Sequence, residues 1–303
     1  MAVSQELLKL VQDNPSPELD SNELQTLSVK VKREVDAYSQ EIYRDDFRWH
    51  LGASVIGHEC DRKLWLGFHW VTPDKRDGRM ARLHQRGKDE EAKFAKYLTG
   101  IGFKLWDKDP VTGKQFIVSY HNGHFGGSSD GVAMLPPAWN IPGLVLPEYK
   151  TSATGSKFTN LNKDNRGIEQ NQEQHYTQQS IYGYGYGIRY GLYVAVNKND
   201  DDLYFEFNKL SVPKAEAAIR RAGDIIVSDY MPAMIPGAKE SFFKCKMCEH
   251  HGFCHKGDKP AVNCRSCIYA VPTYNAEWRC ERFGQDIPRD YVAKGCPDYK
   301  ALV

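Results

Sequence analysis

A surplus of charge of either sign is missing from this chain. Forty Lys and Arg stand against 39 Asp and Glu, a formal net charge of +1 over 303 residues. No general basic coat is therefore available for unspecific contact with nucleic acid. No run approaches the ~18 apolar residues of a membrane span, so a membrane partner is not expected. The first 25 residues have no apolar core flanked by a cleavage site. No secretory signal is read there, and the expected compartment is the reducing cytoplasm. Long repeats, heptads and low-complexity tracts are also lacking, which excludes solenoids and coiled coils. What is present is 41% apolar and 12% aromatic content, enough for one large α/β domain with a small appendage.

The chemistry-bearing residues cluster in the middle of the chain. Asp130 closes Gly126-Gly127-Ser128-Ser129-Asp130-Gly131, and Glu148-Tyr149-Lys150 follows the apolar run Gly143 to Pro147. That run reads as a strand, and alternation places Glu148 and Lys150 on one face. The proline-rich stretch 135–143 turns the chain back, so a hairpin is expected to bring Asp130, Glu148 and Lys150 to one edge. Two carboxylates attract Mg²⁺ or Mn²⁺, and a lysine beside them offsets charge developing on an attacked phosphate. Arg86 to Leu98 has a helical pattern, with Gly87 and Glu91 four apart on one face. Gln174, Gln178 and Tyr182 recur at i, i+4 and i+8.

In this order, a helix with Gly-x-x-x-Glu, a strand with Asp-Gly, a strand with Glu-x-Lys and a helix with Gln-x-x-x-Tyr resemble the PD-(D/E)xK nuclease core. The likeness is to its RecB-like and lambda-exonuclease-like clade and runs from about Cys60 to Cys254. The resemblance implies an α/β, restriction-endonuclease-like fold with a mixed central sheet flanked by helices. It also implies metal ligation by Glu91, Asp130, Glu148 and the Tyr149 main-chain carbonyl, Lys150 near the attacking water, and Gln178 supporting the site. Gln179 competes with Gln178 for that role. The clade often carries a histidine where Glu91 stands, and glutamate is closer to the lambda-exonuclease type.

Eight cysteines are many for a chain expected to stay reduced, so metal ligation is favoured over disulfides. Cys245-x2-Cys248-x5-Cys254 gathers three thiolates, and Cys60 is the fourth candidate. One cysteine before the core and three after it resemble the iron–sulfur subgroup that includes CRISPR-adaptation exonucleases and AddB-type nuclease domains. That resemblance implies a [4Fe–4S] cluster. Spacing cannot count irons, so zinc stays open at this quartet, with His250, His251 and His255 as substitute ligands. Cys264-x2-Cys267-x12-Cys280-x15-Cys296 lies outside the resemblance and fits a small zinc module.

The domain reading is an N-terminal helical region at 1–50, a nuclease core at 51–255 and a cysteine-rich zinc-binding module at 256–303. Residues 54–70 read as a buried helix carrying Cys60, 168–187 as one long helix, and Phe103–Asp107 and Gln115–Tyr120 as strands. Local cations expected to serve DNA are Arg76, Arg79, Arg82, Arg86, Lys157, Lys163 and Arg166. The function expected is a Mg²⁺- or Mn²⁺-dependent DNA exonuclease acting on single strands or ends, in recombination, repair or phage DNA metabolism, with a recombination protein as a candidate partner. Two alternatives stay open: a DNA-binding recombination-assembly protein on a structural nuclease fold, and a sequence-specific endonuclease.

Overall fold

The computed structural model describes residues 4–43, 48–73, 77–153, 156–161 and 163–303. It divides into two compact units: residues 1–45 with 75–86, and residues 46–74 with 87–303. These units do not follow the sequence divisions at 50 and 255. Residues 75–86 join the N-terminal helices, and the cysteine-rich tail belongs to the larger unit because Trp278 is part of its main core.

In the first unit, α1 (Gln5–Asp13) starts at Ser4, whose hydroxyl accepts from the Leu7 N–H. The longer α2 (Ser21–Ile42) starts with a capping box. Asp20 accepts from the Asn22 and Glu23 amides, and Glu23 accepts back from the Asp20 amide. That exchange satisfies amides that have no partner within the helix. Arg82 donates to Asp36 and Ser39.

In the second unit, β1 (Leu51–Gly52) and α3 (Asp61–Phe68) precede α4 (Gly78–Gly100), whose residues up to Arg86 group with the first unit. The expected helix at 54–70 is shorter than predicted: 53–57 form turns, and Cys60 is the N-cap of α3. Then come β2 (Lys104–Trp106), β3 (Ile117–Tyr120), β4 (Phe125–Ser128), β5 (Val132–Met134) and β6 (Leu144–Ser152). The short α5 (Ser156–Thr159) leads to α6 (Gly167–Asn171) and α7 (Glu173–Tyr186). Gln172, with φ −137°, breaks the predicted long helix in two. The strands β7 (Tyr190–Asn197) and β8 (Leu203–Lys209) fall where the sequence places them. Next is α8 (Val212–Val227), capped by Ser211 and carrying Pro213 in its first turn, where a missing N–H costs nothing. Last come α9 (Phe243–Lys246), α10 (His251–Lys256), the small sheet β9 (Ala270–Pro272), β10 (Trp278–Cys280) and β11 (Gln285–Asp286), and α11 (Arg289–Val292).

The central sheet has the order β2-β5-β6-β7-β8 and is mixed, with β6 and β7 parallel and the other pairs antiparallel. The strands predicted around 102–120 form but separate. β2 joins this sheet, while β3 pairs with β4 in a sheet of order β1-β4-β3. Alternation along β6 sorts its side chains. Val145 and Tyr149 enter one core with Phe94 and Leu98 of α4 and Leu192, Val194 and Val196 of β7. Leu146 enters a second core with Ile181 and Tyr182 of α7, the alanine face of α8 and Trp65 of α3. The second face also carries Glu148 and Lys150. Among the described residues no helix is long and apolar enough to cross a membrane.

Candidate active site

Pro147 stands in a central strand, where a residue without an N–H is normally costly. The ladder explains it. Pairing with β5 ends at Ala133↔Val145, while pairing with β7 continues from Leu146 to Ser152. Tyr149 turns its N–H away from β7 and donates to Asp130 Oδ2 at 2.8 Å. Peptide groups two apart face the same side, so Pro147 lacks its donor where β5 no longer asks for one. By the same geometry the Tyr149 carbonyl faces Asp130 rather than β7. Asp130 lies in the loop between β4 and β5, so it is not the end of a hairpin strand. Gly131 follows it at φ +131°, a conformation that glycine alone adopts readily, and a Cβ there would meet the Trp106 carbonyl at 2.5 Å.

Glu148 is fully buried. Its Oε1 pairs with Lys150 Nζ, and its Oε2 has no hydrogen-bond partner among the described residues. Burial, then the charges of Asp130 and Glu91, outweigh Lys150 and push its carboxyl up to about 7. Glu91 on α4 is pushed up to about 7 by burial and by Asp130, against Lys150 and Lys88. Asp130 is raised by burial, against Lys150 and the Tyr149 amide. Burial works against the Lys150 charge, but Glu148, Asp130 and Glu91 leave it above the ordinary lysine value. Three carboxylates and one ammonium thus share a single electrostatic site.

Two consecutive glutamines on α7 divide the work. Gln179 Nε2 donates to the Leu146 carbonyl at 2.8 Å, and its Oε1 accepts from Asn208 at 3.0 Å, so it ties β6 to β8. Gln178 instead bonds the phenol of Tyr182, which burial and the charge of Glu148 hold far above its usual pKa. Gly127 makes room for that phenol: a Cβ there would stand 2.6 Å from Tyr182 Oη. Gln174 is turned elsewhere and donates to the Ser54 carbonyl at 2.6 Å.

Tyr193 completes the wall. It lies beside Glu148 in the parallel ladder, is fully buried, and bonds His175 Nδ1 at 2.8 Å. Its phenol is raised by burial and by Glu148. The helical series on α7 pointed to Tyr182. Nothing in the sequence pointed to Tyr193, since register across a crossover is not written locally.

Of the local cations, Arg82 is committed to Asp36 and Arg166 stands 3.8 Å from Asp164. Arg76 and the Lys157 side chain lie outside the described residues.

The fit to a hard cation is a matter of donors. Glu91, Asp130 and Glu148 offer carboxylate oxygens, and Glu148 Oε2 is a buried acceptor with nothing to accept from. Among the described residues no three His, Cys, Asp or Glu groups stand at ligating distance. The carboxylates lie within electrostatic reach of one another rather than drawn around a point.

All eight thiols are free, and within each quartet they lie in electrostatic reach of one another without standing at ligating distance. Cys254 is raised by burial and by Cys60 and Cys245, and Cys248 is pushed up to about 11, Cys254 being a minor cause after burial. Lys63 pairs with Glu249 at 3.1 Å and Lys244 with Glu59, stitching the start of α3 to the Cys245–Cys254 segment. His251 Nδ1 donates to the Cys245 carbonyl and His250 Nδ1 meets Thr72 Oγ1; among the described residues Nε2 of His250 and of His255 makes no hydrogen bond, though His250 Nε2 stands 3.8 Å from Glu249 Oε1. In the tail, Cys264 is pushed up to about 11 by burial and by Cys296, Cys267 and Cys280.

The raised Glu148 gives a sign-definite prediction for metal-free protein. A carboxyl at about 7 in the fold and near its ordinary value unfolded holds its proton longer when folded. Its contribution to stability therefore falls as pH rises from about 4.5 to about 7. Glu148→Gln has no such loss, so its melting temperature relative to wild type should climb across pH 5 to 8 in chelator. A flat difference would mean that Glu148 ionises normally.

No family model matches the chain, and no curated protein matches it by sequence. Solved structures similar to it include SSO0001, 13% identical, covering 73% of this chain and 94% of that one at a TM-score of 0.41. An alkaline exonuclease (LHK-Exo) from Laribacter hongkongensis is 14% identical, covering 61% and 90% at a TM-score of 0.39. LHK-Exo in complex with dAMP is 12% identical, covering 58% and 86% at 0.38. At these identities no residue role is carried across from either protein.

Proposed function

We propose that this protein is a metal-dependent deoxyribonuclease acting on phosphodiester bonds at Glu91, Asp130, Glu148 and Lys150. One observation carries the reading: a fully buried glutamate, with one oxygen on Lys150 and the other unpartnered, lies within the field of two more carboxylates. A structural ion pair would have no use for the extra acids, which only raise its cost.

Glu148, Asp130, Glu91 and the Tyr149 carbonyl would hold Mg²⁺ or Mn²⁺. When bound, such an ion polarises the phosphate and lowers the pKa of water. The chain's own residues supply the rest. The Tyr149 amide fixes Asp130 Oδ2, which leaves the other oxygen available to a cation. Lys150, kept charged by the acids around it, orients the attacking water and offsets charge building on the phosphate oxygens. Gln178 and Tyr182 wall the site above Glu148 and help keep bulk water from screening it.

The exonucleolytic mode, the preference for single strands or ends and the [4Fe–4S] cluster at Cys60, Cys245, Cys248 and Cys254 are what the resemblance to the RecB-like nucleases implies, and no residue spacing shows them. The test uses end-labelled linear DNA beside covalently closed single-stranded circles, with Mg²⁺ or Mn²⁺ and with chelator. Linear substrates should shorten from an end while circles survive. Rapid cutting of circles would establish the endonuclease alternative, and binding without cutting under every metal condition would favour the assembly protein.

A further inference from the structure

The hydrolytic site makes no use of the four cysteines in residues 260–303. Cys264, Cys267, Cys280 and Cys296 all line one cavity of about 20 Å³, room for a single ion rather than an organic ligand, with no three of their sulfurs at ligating distance, so an ion would have to draw them in. Each is presented by its own backbone device. Cys264 and Cys267 end a turn closed by the Cys267 amide donating to the Cys264 carbonyl at 3.0 Å. Cys280 ends β10, opposite Gln285 of β11. Cys296 starts a turn in which the Tyr299 amide donates to its carbonyl at 3.1 Å. Three strands of two or three residues, a 3-10 turn at Tyr274–Ala276 and a one-turn helix are the other regular elements of this segment. The only large apolar side chains buried here are Trp278 and Val292, and Trp278 belongs to the core around α3. A segment this poor in core of its own needs a crosslink or a metal.

Arg265, between the first two cysteines, adds a second observation. It is fully buried; among the described residues no carboxylate pairs with it and its Nε and Nη2 have no hydrogen-bond partner, while Nη1 donates to the Trp49 carbonyl at 3.3 Å. Its guanidinium lies 4.7 Å from the ring centre of Phe68, 4.4 Å from that of Trp70 and 4.8 Å from that of Trp278. Its carbonyl accepts from His69 Nδ1 at 2.9 Å. Three aromatic faces compensate a desolvated guanidinium only if it stays where they converge. The turn that bears it must therefore be rigid.

We propose that Cys264, Cys267, Cys280 and Cys296 bind one Zn²⁺ as four thiolates, and that this ion fixes the turn that seats Arg265 in its aromatic cage. Four soft thiolates on one small cavity select zinc over the hard cations suited to the carboxylate site.

The experiment uses full-length protein carrying Glu148→Gln, so that a failed nuclease reading does not affect it. Metal content is measured for this protein and for Cys280→Ser, Cys296→Ser and Cys245→Ser made in it. The first two should lose one zinc per chain and the third should keep that zinc. Cobalt-loaded protein should show the visible absorption of a tetrahedral thiolate site and lose it in Cys280→Ser. Chelating the zinc should shift tryptophan fluorescence to the red as Trp70 and Trp278 are uncovered, with recovery on adding zinc back. If the serine variants do not fold, the cobalt spectrum and reversible chelation of the parent protein still decide. Unchanged zinc in folded Cys280→Ser, disulfides among these four cysteines, or a cobalt spectrum without thiolate character would overturn the site. Zinc loss that leaves the fluorescence unmoved would overturn the link to Arg265.

Discussion

Glu148→Gln should fold as the wild type does and cut DNA at least about a thousandfold more slowly under saturating Mg²⁺ or Mn²⁺, the upper range for losing one preorganised electrostatic group. The side chain keeps its shape, so the packing of β6 against α7 survives. What disappears is the charge, and one of the two carboxylate oxygens becomes an amide donor, so either Lys150 loses its acceptor or the buried acceptor Oε2 is lost. Asp130→Asn should fall in the same range, because its oxygens also answer to the Tyr149 amide and to Lys150. Glu91→Gln and Lys150→Met should follow. The adjacent glutamines provide the internal control. Gln179→Ala breaks the tie between Leu146 and Asn208 and should lower the melting temperature while leaving the rate per folded molecule near normal. Gln178→Ala should do the reverse, since its amide serves Tyr182 beside Glu148. Glu148→Gln with full metal-dependent activity would remove the site from β6 altogether.

Most of what positions this site is visible in the sequence because it is local. Alternation along Gly143 to Lys150 places Glu148 and Lys150 together, and helical spacing places Phe94 and Leu98 against the sheet. Both readings use only residues close in the chain. The failures are long-range. β2 and β3 follow one another in the chain but serve different sheets, since a strand's partner depends on chain that comes later. Gln172 carries no breaking signal, yet its backbone, at φ −137°, ends one helix and starts the next. Tyr193 reaches Glu148 only through the β6–β7 register. Arg265 looks like one more surface cation, and only the meeting of Phe68, Trp70 and Trp278 around it makes it part of a core. The separation of residues 75–86 from the larger unit follows from contacts with α2, of which Arg82 to Asp36 is one. No pattern within 75–86 announces that.

Cys60→Ser should cost iron, colour and solubility together. Cys60 caps α3 and Cys245 sits in α9, with 184 residues between them, yet their thiols share a field with Cys254. The flanking ion pairs Lys63–Glu249 and Lys244–Glu59 hold the same junction but are partly exposed. Exposed pairs contribute at most about 1 kcal/mol each. Closing so long a loop through a metal centre restricts the unfolded chain far more, on the order of 5 kcal/mol by the loop-closure argument. Most of the stability of this junction should therefore reside in the thiolates. Phosphodiester hydrolysis changes no oxidation state, so a [4Fe–4S] centre here would act as a clamp, and activity should fall through misfolding rather than through chemistry. Wild-type protein prepared without oxygen should be brown and contain four irons per cluster, while Glu148→Gln should be equally brown and inactive. Cys60→Ser should be colourless and mostly aggregated, its soluble fraction melting well below wild type. Colourless, iron-free wild type that is fully active, with zinc at these four cysteines, would leave the clamp in place and replace its metal. A Cys60→Ser variant as stable and soluble as wild type would dismiss the clamp itself.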